Sequence, residues 1–125
     1  SLPGGRRRRV LVADDHRLFR EGVAQLLRDA GDFEVVGQAD DGGQAVTLAA
    51  ALRLDVCLLD VSMPTVNGVE AAQRIAQLAP EVRVVALSMH ERTEMADAMR
   101  AAGAVAYLSK DVPADVLLGV LRALG

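Results

Sequence analysis

Four apolar runs in this sequence close on polar side chains suited to phosphate or metal chemistry. Val10-Leu11-Val12-Ala13 leads into Asp14 and Asp15, and Val56-Cys57-Leu58-Leu59 leads into Asp60. Val84-Val85-Ala86-Leu87 leads into Ser88, and Val105-Ala106-Tyr107-Leu108 leads, through Ser109, into Lys110. A carboxylate such as Asp60 can act as a nucleophile and form an aspartyl-phosphate. Two adjacent carboxylates beside a third repel one another, and a cation relieves that cost. Mg2+ suits an all-oxygen site that keeps waters and completes its shell with phosphate. Each residue alone has a plainer reading: Asp14 and Asp15 favour the start of a helix, Asp60 opens a loop, Ser88 starts a turn, Lys110 is solvated. The joint pattern is more specific, because each plain reading must then hold at the matching end of a different strand. Composition also sets Lys110 apart, since the chain has thirteen Arg and this one Lys. A compact ammonium with a rotatable head is not interchangeable with a planar guanidinium fork.

Those groups meet only if the strands run parallel. The pattern predicts strands at Val10–Ala13, Glu34–Ala39, Val56–Asp60, Val82–Leu87 and Ala104–Leu108, each followed by a helical stretch. The first helix spans Arg17–Ala30, with Leu18, Phe19, Val23, Leu26, Leu27 and Ala30 at helical spacing and Gly31 as a left-handed cap. Asp41-Gly42-Gly43 turns the chain into a helix over Gln44–Leu52. After the Ser62–Val66 loop, Asn67 is a predicted N-cap with Glu70 three residues on, and Pro80 stops the pattern. The fourth helix covers Glu91–Ala102 with Gly103 as its cap. Pro113 suits the first position of the fifth, whose stripe is Val116, Leu117, Val120, Leu121 and Leu124. Five β-α units with right-handed crossovers make a doubly wound five-stranded parallel sheet, order 2-1-3-4-5, with helices on both faces, a flavodoxin-like α/β fold. Ligands of such sheets bind outside the carboxyl ends of the strands, where all four polar sets would converge.

The 125 residues suit one domain with a real core. Residues 1–8 are expected to be a disordered leader and 9–125 the domain, with Arg6 to Arg9 a solvated run. Apolar residues make up 51% but aromatics only 2%, so Ala, Val, Leu and Met must build the interior. A net charge of −3 offers no whole-chain argument for nucleic acid or membrane surfaces. The single cysteine, Cys57, excludes an internal disulfide and a Cys-based zinc cluster, and is expected to be a small buried hydrophobe. No apolar run approaches the roughly 20 residues of a membrane span, and no signal-peptide pattern is present. A soluble cytoplasmic protein is the expectation.

Val-Ala-Asp14-Asp15-His16, Leu-Leu-Asp60-Val-Ser-Met-Pro64 with Asn67-Gly68, Ala-Leu-Ser88-Met-His90, and Ala-Tyr107-Leu-Ser-Lys110-Asp111 together resemble a two-component response-regulator receiver domain of the CheY-like kind. The resemblance covers residues 9 to 124 with motifs in order and in spacing. Asp-Asp-His, Ser-Met-Pro and Ser-Met-His are further similar to the NarL/LuxR-type group, whose members usually carry a C-terminal helix-turn-helix DNA-binding domain. No such domain is present here, so a truncated chain is expected, with a stand-alone receiver as the alternative. The resemblance implies that Asp60 accepts a phosphoryl group from a phosphohistidine on a sensor histidine kinase. It implies Mg2+ held by Asp15, Asp60 and the Ser62 carbonyl, with Asp14 acting through a water. Lys110 would pair with phosphate and carboxylate oxygens. Ser88 would bond a phosphate oxygen, and Tyr107 would turn toward the space Ser88 vacates, relaying the change to the surface of the fourth helix, fifth strand and fifth helix. Such a protein is a switch rather than an enzyme, catalysing only its own phosphorylation and dephosphorylation, with homodimerisation on phosphorylation a possible consequence and no nucleic-acid or membrane binding by this domain.

Two features depart from the commoner receiver pattern. Asp111 follows the lysine where many receivers have Pro, and Thr65-Val66 fills a loop spot often held by Gly or acidic residues. Ser62, Met89 and His90 stand where receivers tune phosphate lifetime, and His90 with Met89 is expected to restrict attacking water. His16 is expected to face solvent at the start of the first helix rather than to bind a ligand. A phosphorylation-independent interaction module is the main alternative. An Mg2+-dependent phosphohydrolase fits less well: such enzymes need a carboxylate two residues after the nucleophile, and positions 62 and 16 are Ser and His. No Gly-x-Gly-x-x-Gly or P-loop pattern follows the first strand.

Overall fold

The computed structural model describes residues 6–89 and 93–124. Five strands alternate with five helices: β1 (Arg8–Ala13), α1 (Arg17–Ala30), β2 (Phe33–Ala39), α2 (Gly42–Ala51), β3 (Val56–Asp60), α3 (Gly68–Leu78), β4 (Arg83–Ser88), α4 (Thr93–Ala101), β5 (Ala104–Ser109) and α5 (Ala114–Ala123). The strands form one parallel sheet in the order β2-β1-β3-β4-β5, as the alternating pattern predicts.

Strand periodicity divides the interior into two layers. Leu11, Ala13, Cys57, Leu59, Val84 and Ala86 pack with Ala45, Ala49, Ala71, Ala72, Ile75 and Met99 from α2, α3 and α4. Their neighbours Val10, Val12, Val56, Leu58, Val85 and Leu87 face the other way, onto Val23 and Leu27 of α1 and Leu117 and Leu121 of α5. Successive side chains of a strand point to opposite faces, so a sheet covered on both sides needs near-continuous apolar strands. The alanines of α2 and α3 let helices approach closely where aromatics are scarce. Phe33, buried at 1% exposure, is the exception and fills the α1/α5 layer. Cys57 is buried, as expected, and burial pushes its thiol up to about 12.

Several local expectations hold. Gly31 ends α1 in the left-handed region at φ 88°, and Asn67 Oδ1 accepts from the Glu70 amide at 3.0 Å. The Glu70 carboxylate, however, pairs with Arg74 one turn on rather than closing a capping box. Others need correction. The basic run is solvated only at Arg6 and Arg7, and β1 already begins at residue 8, inside the expected leader. Arg8 opens β1 at 5% exposure, because its guanidinium donates to the carbonyls of Leu121 and Arg122 at the end of α5, where a cation complements the unpaired carbonyls of a helix. Arg9 donates its amide to Asp55 Oδ2 at 2.8 Å and its Nε to the Arg53 carbonyl at 2.6 Å. Arg122 adds a forked pair to Asp32 at 2.8 and 2.9 Å, which holds the Asp32 carboxyl below its usual range. Leu18 and Val116, assigned to apolar stripes, are exposed at 83% and 42%. Pro113 is the N-cap of α5 rather than its first residue. The expected start of the fourth helix at Glu91 and Arg92 lies outside the described residues, as does the leader over residues 1–5.

The carboxyl edge of the sheet is held by close backbone approaches. Gly68 lies so near β3 that a Cβ there would sit 2.5 Å from Val61 Cα and 2.8 Å from the Asp60 carbonyl oxygen. Its amide donates to the Val61 carbonyl at 3.1 Å. Gly22, by contrast, lies within α1 with open space around it. Gly68→Ala should therefore destabilise the fold by about 1–3 kcal/mol through forced backbone shifts. Gly22→Ala should stabilise it by about 0.5–1 kcal/mol through helix propensity. Urea unfolding of the two variants beside the parent checks both, and an unchanged midpoint for Gly68→Ala would contradict the contact geometry.

Candidate functional site

Asp14, Asp15, Asp60 and Lys110 converge at the carboxyl edge, as the strand ends require. Asp14 follows β1 directly and is fully buried. Its amide donates to the Ala39 carbonyl at 2.9 Å, and its own carbonyl accepts from Arg20 Nη1 at 2.8 Å. Asp14 Oδ1 accepts the His16 amide at 2.8 Å, so the side chain is fixed by the first turn after the strand. Asp15 points outward, with its side chain 35% exposed. Asp60 is the last residue of β3, buried at 2% exposure, and its Oδ1 accepts the Ser62 amide at 3.2 Å.

Lys110 crosses to these carboxylates from the end of β5. Its amide donates to the Ser88 carbonyl at 2.8 Å, which ties the ends of β4 and β5 together. Asp111 donates its amide to Ser109 Oγ at 3.1 Å in the following turn, and no described peptide bond is cis. The Lys110 side chain is almost wholly buried, with Nζ 2.7 Å from Asp14 Oδ2 and 3.4 Å from Asp60 Oδ2. The Phe19 ring of α1 lies 5.0 Å from the ammonium, a distance at which the ring face attracts a cation.

One ammonium does not balance three carboxylates, and its position favours Asp14. Burial pushes the Asp60 carboxyl up to about 6, with the nearby Asp14 charge adding to the shift and the Ser62 amide and Lys110 opposing it. Asp14 Oδ2 and Asp60 Oδ2 are buried and make no hydrogen bond; their close partner is the Lys110 ammonium. Oxygens with unused lone pairs at the mouth of an acidic cluster are what a hard divalent cation requires. Donor atoms of Asp14, Asp15, His16 and Asp60 all lie within 4.8 Å of one another, so these residues fit such an ion.

The remaining expected site residues are placed unevenly. Ser88 ends β4 and is buried, in register with Ser109. Tyr107 sits half-buried in β5, in register with Ala86, against the α2/α3/α4 layer. Ser62 and Met89 are exposed beside the site, and His90 lies outside the described residues. Thr65 has φ 68°, uncommon for a β-branched residue, so the departure at this loop carries a real backbone cost. Three residues not assigned to the site stand beside it. His16, though 63% exposed, brings Nδ1 to 3.3 Å from Asp14 Oδ1 and 3.5 Å from Asp15 Oδ1. Phe19 and Arg20 support Lys110 and Asp14 from α1. Phe19 sits three places after His16 on a helix that starts beside the site, and that adjacency was the available signal.

Residues 10–122 match the family of the response regulator receiver domain. The chain is a receiver domain of that family. This receiver is 40% identical over 115 residues to the transcriptional regulatory protein DegU of Brevibacillus brevis, covering 92% of the chain and 49% of that protein. It is 40% identical over 114 residues to the response regulator GacA of Pseudomonas viridiflava, covering 91% and 53%. The receiver thus spans about half the length of the curated relatives it matches. Its fold superposes on the signal receiver domain of the response regulator NarL from Mycobacterium tuberculosis with a TM-score of 0.89 at 37% identity, covering 94% and 96% of the two chains. These relatives place the receiver in the NarL/LuxR type of response regulator and are regulatory proteins rather than metabolic enzymes. Among the described residues no helix is long and apolar enough to cross a membrane.

The Asp60 carboxyl titrates high in the fold, which makes its ionisation a cost to stability. A raised carboxyl favours the folded state below the unfolded value of 3.8, and that advantage is lost as pH rises toward about 6. In chelator-treated protein, Asp60→Asn should therefore gain stability over the parent as pH rises from about 4 to 6. The difference should level off above that at about 1–3 kcal/mol. Thermal unfolding of both proteins across this range checks the sign, and a variant less stable at pH 7 would contradict it.

Proposed function

We propose that Asp60 is the phosphoacceptor of this receiver and that its modification switches the output of a longer regulator. The observation that carries the reading is the juxtaposition of buried Asp60 with Lys110 and the Asp14–Asp15 pair. Phosphoryl transfer needs little covalent chemistry from a protein beyond the nucleophile, and depends on positioning and charge neutralisation. An oxygen of ionised Asp60 attacks the phosphorus of a phosphohistidine on a sensor histidine kinase. The P–N bond breaks, an aspartyl-phosphate forms, and the leaving imidazole takes up a proton. Asp14, Asp15, Asp60 and the Ser62 carbonyl would hold Mg2+, which supplies positive charge to the phosphoryl oxygens. Lys110, already directed at Asp14 and Asp60 by the end of β5 and the Phe19 face, places an ammonium against the same oxygens.

The switch lies on the adjacent strands. Ser88 Oγ would donate to a phosphoryl oxygen, and Tyr107 would follow into the vacated space, altering the surface of α4, β5 and α5. Both residues end or line strands that meet the site through backbone contacts, which supports the coupling. A C-terminal helix-turn-helix domain is the output that the NarL/LuxR type suggests, with phosphorylation-dependent homodimerisation as one way to drive it. Ser62, Met89 and His90 are assigned to phosphate lifetime. An apolar groove of about 240 Å³ between α1 and the β5–α5 turn, reaching Leu18, Leu26, Val112 and Lys110, offers a kinase a surface beside the phosphoacceptor.

Incubation of the chain with Mg2+ and a small phosphodonor, read by intact mass, tests the assignment. The parent should gain one phosphoryl group that is lost on mild alkaline treatment, and Asp60→Asn should gain none. An adduct that persists in Asp60→Asn refutes the role of Asp60. Absence of any adduct in the parent would favour a phosphorylation-independent interaction module.

A further inference from the structure

The one lysine of this chain sits against one of its two phenylalanines. The interior is otherwise aliphatic, so filling volume does not call for a ring at position 19. Phe19 is only partly buried, where it packs against the α1/α5 layer. Its ring centroid lies 5.0 Å from Lys110 Nζ. Both residues line the apolar groove of about 240 Å³ between α1 and the β5–α5 turn, yet the Lys110 side chain is only 3% exposed. The ammonium thus keeps to the carboxylates although an open groove adjoins it. An ammonium has three N–H donors and no acceptor. A ring face attracts its charge without claiming any of them, so the donors remain for oxygens. A carbonyl in that place would take one donor, and a leucine would fill space without attracting the charge. The ring also shields the ammonium from water in the groove, and charges act on one another more strongly where water is excluded.

We propose that Phe19 is a positioning residue for phosphoryl transfer: its ring holds the Lys110 ammonium in the site, with donors free for phosphoryl oxygens, and keeps it out of the adjoining groove. The inference rests on the reading of Asp60 as the phosphoacceptor. Phe19 acts through Lys110 alone. Its removal leaves the nucleophile in place and lets the ammonium move or hydrate, so the loss falls on the transfer step rather than on donor binding.

Because Lys110 is the only lysine, the tag-free chain labelled with carbon-13 lysine gives one set of lysine side-chain signals in nuclear magnetic resonance. In the parent the ring current of Phe19 should displace the Lys110 Hε signals from the position of a solvated lysine. Phe19→Leu should return them toward it, and Phe19→Tyr, which keeps the ring, should not. With Mg2+ and a small phosphodonor, the maximal rate of adduct formation, read by intact mass, should fall about three- to thirtyfold in Phe19→Leu. The half-saturating donor concentration should change little, and Phe19→Tyr should restore the rate. Lys110 signals already at the solvated position in the parent overturn the positioning role and leave Asp60 as the phosphoacceptor. So does a rate unchanged in Phe19→Leu, or a loss that Phe19→Tyr shares in full. No adduct in the parent, or one that persists in Asp60→Asn, sinks the reading of Asp60, and the role of Phe19 in transfer falls with it.

Discussion

The receiver depends on keeping two buried carboxylates beside a single ammonium. Asp14 and Asp60 are withdrawn from water at the ends of neighbouring strands, and Lys110 reaches both from β5. Removing charges from water costs several kcal/mol each, and mutual attraction offsets that cost only with good geometry. Here the offset is incomplete, because Lys110 lies nearer Asp14 and leaves Asp60 high in its titration. The residual repulsion is a standing demand for positive charge at one spot. A divalent cation would answer that demand.

Most of the molecule can be understood as the apparatus that holds this imbalance in place. Two apolar layers sandwich the sheet, so each strand enters the site from a rigid support. Gly68 and Gly42 let backbone approach where any side chain would collide: a Cβ on Gly42 would meet the Val66 carbonyl oxygen at 1.8 Å. Thr65, between them in the chain, takes a left-handed conformation, and strain of this kind persists where the surroundings over-determine the backbone. At the opposite edge of the sheet Arg8 closes on the last carbonyls of α5, and Arg122 pairs with Asp32. The final helix is therefore anchored at its end.

His16 shows how one position can serve two readings. By exposure it is the solvent-facing start of α1 that its place in the sequence suggests. By contact it belongs to the site, since its backbone amide fixes Asp14 and its ring faces both aspartates of the pair. Exposure measures how much of a ring water touches, not what its Nδ1 meets.

The sequence by itself determined the sheet, its order and the convergence of Asp14, Asp15, Asp60 and Lys110. Those follow from apolar runs of strand length, turn signals and the handedness of crossovers, all of which are local or nearly so. Tertiary structure alone decided the balance among those residues. That Lys110 leans toward Asp14, that Phe19 backs it and that Arg8 is buried against α5 depend on contacts between residues up to 114 places apart. Periodicity marks which face of an element is buried; it does not tell which partner a charged side chain finds there. Arg8 reads as part of a solvated basic run because its partners are backbone carbonyls at the other end of the chain. His16 reads as bland because its partners are set by how β1, β3 and β5 end in space.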